Sequence, residues 1–94
     1  MKTIEELLKE SGTSIIDVRT QEEFDMEHYP GAVLIPLHTI PTAVEEIKEM
    51  KKPLLVYCRS GNRSAQAVAF LRQHGVEEVY DGGGLFDLYA IKNN

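Results

Sequence analysis

Short apolar runs alternate along this chain with longer segments whose apolar residues recur at helical spacing. Runs rich in β-branched and aliphatic residues predict strands, and a recurrence every three or four residues predicts a helix with one buried face. The predicted strands cover residues 14–18, 33–35, 53–57 and 76–80. The predicted helices cover residues 3–10, 20–28, 42–50, 62–74 and 85–91.

Capping residues support several of these boundaries. Thr3 with Glu6, and Thr20 with Glu23, have the spacing of a capping box, in which each side chain bonds the other's backbone N–H. Gly75 is suited to end the fourth helix because glycine tolerates a left-handed backbone. The elements therefore follow one another as helices and strands in alternation.

This alternation predicts an α/β fold with a parallel sheet flanked by helices. Residues 53–57 are apolar on both faces and predict the most buried strand. In open sheets of this class, ligands bind beyond the carboxyl ends of the strands. The loop that begins at Cys58 follows this strand and is the first place to look for chemistry.

Composition is that of a small globular protein. The 94 residues are 43% apolar and 27% charged, which is enough for one core, and we expect one domain over residues 1–94. No apolar run approaches the ~20 residues of a membrane helix, and the N-terminus lacks the apolar core of a secretory signal. We therefore expect a cytoplasmic protein with no membrane partner. The net charge of −5 disfavours nucleic acid as a partner.

Cys58 is the sole cysteine, which excludes an internal disulfide and a metal site built from cysteines alone. Its surroundings favour the thiolate, which is the nucleophilic form. The loop enters a helix N-terminus, Arg59 and Arg63 add positive charge, and Gly61 lets backbone N–H groups turn inward as an anion nest. These features predict a Cys58 pKa well below the ~8.5 of a free thiol.

The spacing within the loop separates two chemistries. Phosphatases with a cysteine nucleophile have a similar loop, but they place five residues between the cysteine and the arginine, whereas four separate Cys58 from Arg63. The shorter cradle suits a single sulfur atom better than a phosphate.

With this spacing the chain resembles the rhodanese family. The resemblance extends over most of the chain as an ordered set of motifs. These are Asp17-Val18-Arg19, Glu23-Phe24, His28-Tyr29-Pro30-Gly31-Ala32, Ile35-Pro36, Leu55 to Ser64 and Gly82-Gly83-Gly84. Only two residues precede the first helix, where many members have an extra strand, so we expect about four main strands rather than five.

The resemblance implies a doubly wound sheet with helices on both faces, and a sulfurtransferase that works by double displacement. A donor such as thiosulfate gives its sulfane sulfur to Cys58, and cyanide or a thiol removes it. The resemblance implies no metal and no organic cofactor. Backbone N–H groups of the loop hold the charged sulfur, Arg59 attracts the anionic donor and Arg63 braces the loop. The predicted substrate-binding residues are Arg59, Ser60, Gly61, Asn62, Arg63 and Ser64.

Other polar residues of the motifs are interpreted as structural. Glu23 fits a helix cap, and Arg19 is expected to pair with a carboxylate beneath the loop. His28 is expected to fix its turn by hydrogen bonds, and residues 82–84 to form a tight turn near the active loop.

Two alternative functions stay open at this point. One is a persulfide carrier that takes sulfur from one protein, passes it to another and acts weakly on small donors. The other is a phosphatase or an arsenate reductase, against which the short loop argues.

Overall fold

The computed structural model describes residues 2–92, which form five α-helices, four strands and one 3-10 turn. The strands are β1 (Ser14–Asp17), β2 (Val33–Leu34), β3 (Leu54–Cys58) and β4 (Val79–Gly84). The helices are α1 (Ile4–Lys9), α2 (Gln21–Met26), α3 (Ile40–Glu49), α4 (Asn62–Gln73) and α5 (Leu85–Lys92), and the 3-10 turn is Leu37–Thr39. No helix within residues 2–92 is long and apolar enough to cross a membrane.

The four strands form one parallel sheet in the order β2-β1-β3-β4. β3 lies inside the sheet between β1 and β4, and all five of its residues are buried. This confirms the α/β prediction, including the four strands and the doubly wound arrangement. Because all strands run the same way, the carboxyl ends of β1 and β3 meet at one edge of the sheet.

Helices cover both faces of the sheet and divide the core in two. α3 and α4 pack on one face, and α1 and α5 pack on the other. The first face buries aliphatic side chains from β1, β3, α3 and α4, among them Ile16, Val56, Ile47, Val68 and Leu71. The second buries Leu7, Tyr29, Leu55, Tyr57, Leu85 and Leu88. Residues that alternate along β3 therefore serve opposite cores, as the period of a strand requires.

The last strand differs from its prediction at residues 76–80, since β4 runs from Val79 to Gly84. Val76 still belongs to the helix end, where its N–H donates to Leu71 O. The prediction of a tight turn at residues 82–84 was wrong, because these glycines are the end of the strand. The register shifts there, so that Asp81 pairs with Val56 but Gly83 pairs with Tyr57, which leaves Gly82 as the extra residue of a bulge.

The bulge brings the end of β4 against the active loop. Gly84 is the register partner of Cys58, and a Cβ added to Gly84 would lie 2.3 Å from Arg59 O. No side chain fits in that space. Gly84 therefore permits a close approach of two backbones rather than a turn.

Candidate active site

Cys58 is the last residue of β3 and is fully buried. The chain then turns through Gly61, whose φ of +102° is a left-handed conformation suited to glycine, and enters α4 at Asn62. This turn aims the Gly61 N–H at the cysteine, with the nitrogen 3.0 Å from Cys58 Sγ. The Ser64 hydroxyl oxygen lies 3.5 Å from the same sulfur.

Opposing effects act on the Cys58 thiol. Burial alone would raise its pKa, because a thiolate loses its hydration. Hydrogen bonds that the thiolate accepts from the Ser64 hydroxyl and from the backbone N–H groups of Ser64, Gly61 and Ser60 more than offset burial, and the pKa of Cys58 lies below its ordinary value. The direction agrees with the sequence prediction. The helix N-terminus acts here through individual N–H groups pointed at one atom.

Arg63 forms an ion pair that the sequence did not reveal. Its two terminal nitrogens donate to the two carboxylate oxygens of Glu23, at 2.7 and 3.0 Å. Glu23 also closes the capping box with Thr20, as predicted. One carboxylate thus joins the start of α2 to the start of α4. Arg63 holds the pKa of Glu23 down to about 2, against the opposing effect of burial.

Replacing Glu23 by glutamine tests this ion pair. Glutamine can still close the capping box, so the change isolates the charge. We expect a loss of about 1 kcal/mol in unfolding free energy at pH 7. A lowered carboxylate pKa stabilises the fold above the unfolded value of 4.5, and this contribution is lost as the pH falls to about 2. The difference between wild type and Glu23→Gln, measured by urea unfolding, should therefore shrink across this range.

The matched control is Glu22→Gln, which removes the same charge from an exposed position in the same helical turn. It should leave the unfolding free energy within about 0.5 kcal/mol of wild type. Equal effects of the two variants at pH 7 would contradict the assigned ion pair.

A buried polar cluster lies beneath the loop. Asp17 is fully buried at the end of β1, and its two carboxylate oxygens share the Arg19 Nε–H at 3.0 Å while Oδ2 also accepts from Arg19 Nη2 at 2.7 Å. Tyr57 OH donates to the same carboxylate at 2.6 Å. Arg19 Nη2 also donates to Glu27 O, which ties the end of α2 to the cluster. The structure confirms the expected pairing of Arg19 with a carboxylate.

The tyrosine in this cluster was not predicted. Tyr57 immediately precedes Cys58, and its hydroxyl also accepts the Tyr29 N–H at 3.0 Å. In the sequence, Tyr57 is one more residue of the apolar run that predicts a buried strand. Only the parallel register, which sets Asp17 beside Tyr57, shows that its hydroxyl has a partner.

Three of the predicted substrate-binding residues, Arg59, Ser60 and Asn62, lie on the exposed side of the loop. Arg59 borders a pocket of about 230 Å³. The other lining residues come from the chain around α2 and from the start of α5: Arg19, Glu23, Met26, Glu27, Leu85 and Phe86. The loop thus has a buried side that holds the thiol and an open side beside a pocket.

The His28 side chain contacts α2: its Nδ1 lies 2.9 Å from Phe24 O and its ring stacks on Phe24. Its hydrogen bond therefore holds the end of α2 and not, as expected, the turn that follows it.

Comparison with known proteins decides the family. The sequence pattern of the rhodanese-like domain matches residues 1–87. The chain belongs to the rhodanese-like family. This confirms the resemblance inferred from the loop and from the ordered motifs.

Similar proteins of this family carry sulfurtransferase names. The chain is 37% identical over 82 residues to thiosulfate sulfurtransferase GlpE of Pseudomonas syringae, covering 87% of this chain and 76% of the relative. It is 40% identical over 81 residues to thiosulfate sulfurtransferase PspE of Escherichia coli, covering 82% and 75%. Among solved structures, a rhodanese from E. coli with anions superposes with a TM-score of 0.72 at 35% identity, covering 80% of this chain and 89% of that one. The rhodanese-like sequence and fold thus support the predicted class, a sulfurtransferase.

Proposed function

We propose that residues 1–94 form one rhodanese-like domain that carries sulfane sulfur on Cys58 as a persulfide, with thiosulfate or a similar anion as the donor. The observation that carries the proposal is the Cys58 sulfur itself. It lies at the head of α4, 3.0 Å from an inward-pointing N–H, in a loop with four residues between cysteine and arginine.

The reaction takes two displacements. The Cys58 thiolate attacks the sulfane sulfur of thiosulfate, an S–S bond forms, and sulfite leaves with the electron pair of the broken bond. The carbon of cyanide, or the sulfur of a thiolate, then attacks the outer sulfur. The S–S electrons return to Cys58 Sγ, and thiocyanate or a new persulfide departs.

Each loop residue has a proposed part in this cycle. Backbone N–H groups from Arg59 to Ser64 stabilise the charge that moves between Sγ and the outer sulfur. The exposed guanidinium of Arg59 attracts the anionic donor, and Ser60 and Asn62 border the open side of the loop. Arg63 braces the loop through its bidentate bond to Glu23. None of these steps requires a metal or an organic cofactor.

One observation favours a protein acceptor as a second candidate. Met26 and Phe86 border the pocket beside Arg59 and are 83% and 68% exposed. Large apolar side chains at such exposure often mark a surface that meets another molecule. Cys58 would then act as a persulfide carrier, and a cytoplasmic location would suit exchange with reduced thiols.

The direct test is thiocyanate formation from thiosulfate and cyanide, with hydrolysis of a phosphate monoester measured beside it. We expect turnover in the first assay and none in the second. Phosphatase activity without thiocyanate formation would overturn the proposal. If a mass gain of one sulfur on Cys58 requires a partner protein, the carrier function is favoured over thiosulfate chemistry.

A further inference from the structure

A buried hydroxyl beside Cys58 has competing hydrogen-bond acceptors. Ser64 lies in the first turn of α4 and is fully buried. Its Oγ is 2.8 Å from Asp81 Oδ1, 3.1 Å from Gly61 O, and 3.5 Å from both Cys58 Sγ and Gly83 O. Asp81 belongs to β4 and is exposed at the surface. The side chains of Cys58, Ser64 and Asp81 therefore form a path of polar contacts from the buried sulfur to an exposed carboxylate.

A serine hydroxyl has one hydrogen to donate and lone pairs to accept with. The carboxylate of Asp81 is the nearest acceptor and the charged one, so it takes that hydrogen. A lone pair then faces Cys58 Sγ, which suits an S–H donor. A thiolate needs the opposite arrangement, in which the hydroxyl hydrogen points at the sulfur.

The backbone fixes Asp81 in this place. The Gly83 N–H donates to the same Oδ1 at 2.9 Å, within the β4 bulge. The carboxylate is thus held beside Ser64 by the irregularity that also brings Gly84 to the active loop.

We propose that Asp81 is a positioning residue that competes with Cys58 for the Ser64 hydroxyl hydrogen and thereby disfavours the thiolate. The proposal rests on Cys58 as the nucleophile of the proposed function. When the thiol ionises, its proton goes to solvent and the Ser64 hydroxyl turns from Asp81 to Sγ. When the persulfide forms, Sγ becomes neutral and the hydroxyl returns to Asp81.

This competition has a consequence for the cycle. The bond between Ser64 and Asp81 is present in the thiol and in the persulfide and is broken in the thiolate. Asp81 therefore favours the sulfur-loaded state over the free thiolate. A less stabilised thiolate is also a stronger nucleophile, because nucleophilicity falls as the thiol pKa falls.

Other charges surround the loop and must stay constant in any test. Arg63 on α4 interacts electrostatically with Cys58 and is paired with Glu23 of α2. Arg59 lies on the loop itself, and Asp87 of α5 accepts the Gly84 N–H at 2.9 Å. Neither Asp81→Asn nor the control variants below alter the arginines or Glu23.

The test is the thiol pKa of the Asp81→Asn variant. It is measured from thiolate absorbance as a function of pH, without any sulfur donor. Cys58 is the sole cysteine, so the thiol signal is its own. Asparagine Oδ1 can still accept the Gly83 N–H, and as a neutral amide oxygen it is a weaker acceptor for the Ser64 hydroxyl than the carboxylate is. We expect the midpoint of the Cys58 titration to fall by about half a pH unit to one pH unit. This is about a threefold to tenfold rise in the thiolate fraction at a pH below the midpoint.

Two controls separate the hydrogen bond from charge alone. Asp87→Asn removes a carboxylate near the same loop without a contact to Ser64, and should shift the midpoint much less. In a Ser64→Ala background, Asp81→Asn should shift the midpoint only by the small amount that loss of a nearby charge produces, as in Asp87→Asn. An unchanged or raised midpoint in Asp81→Asn, an equal shift in Asp87→Asn, or a full shift without Ser64 would each overturn the proposal.

Circular dichroism checks the fold of each variant, and Asp81→Ser replaces Asp81→Asn if the latter is unfolded. Because no sulfur is transferred in this titration, its outcome is independent of whether the protein turns over thiosulfate.

Discussion

Cys58→Ser is expected to reduce thiocyanate formation by at least about a thousandfold, to the level of the uncatalysed reaction. A serine hydroxyl is not ionised near neutral pH and forms no persulfide, so both displacements lose their sulfur carrier. The measurement is the initial rate of thiocyanate formation at saturating thiosulfate.

The fold of this variant should be unaffected. Serine has nearly the size of cysteine, and the Gly61 N–H that points at the sulfur can point at a hydroxyl oxygen instead. A melting temperature close to that of the wild type, together with lost activity, assigns the effect to chemistry. Substantial activity in well-folded Cys58→Ser would exclude Cys58 as the carrier.

Asp17→Ala is expected to cost about 3–5 kcal/mol of unfolding free energy. The variant leaves the Arg19 guanidinium, only 5% exposed, without its counter-ion, and leaves the Tyr57 hydroxyl without the acceptor it now has at 2.6 Å. The remaining acceptor for Arg19, Glu27 O, carries no net charge. Chemical unfolding in urea gives the difference directly.

The control for Asp17→Ala is Asp25→Ala, at an exposed position of α2. Its carboxylate accepts one side-chain bond, from Gln21, and its loss should change the free energy by no more than about 0.5 kcal/mol. If Asp17→Ala cost as little as the control, the buried cluster would not be a significant source of stability.

Sequence patterns predicted most of the fold because the local preference of each segment agreed with its structure in the fold. The capping boxes at Thr3 and Thr20 formed as expected, and the fully apolar run 54–57 became the buried strand β3. The prediction ended the last strand too early because three consecutive glycines are typical of a turn. In the fold, glycine there is required by the contact of Gly84 with the Arg59 backbone, which is a tertiary constraint.

The sequence predicted the part of the candidate site that is contiguous in the chain. It did not predict the contacts between residues that are far apart in the chain. The loop from Cys58 to Ser64 is contiguous, so its helix N-terminus and its glycine could be read directly. Its pairings from Arg63 to Glu23 and from Ser64 to Asp81 span 40 and 17 residues. Such pairs depend on strand order and on the bulge, which no local pattern encodes.

In the proposed reaction, sulfur resides on Cys58 between the two displacements. Intact mass spectrometry, after incubation with thiosulfate and removal of the excess, detects this persulfide. We expect a mass gain of one sulfur atom in the wild type, its loss on addition of cyanide, and no gain in Cys58→Ser. An unmodified wild type that nevertheless forms thiocyanate, or an equal gain in Cys58→Ser, would show that Cys58 is not the sulfur carrier.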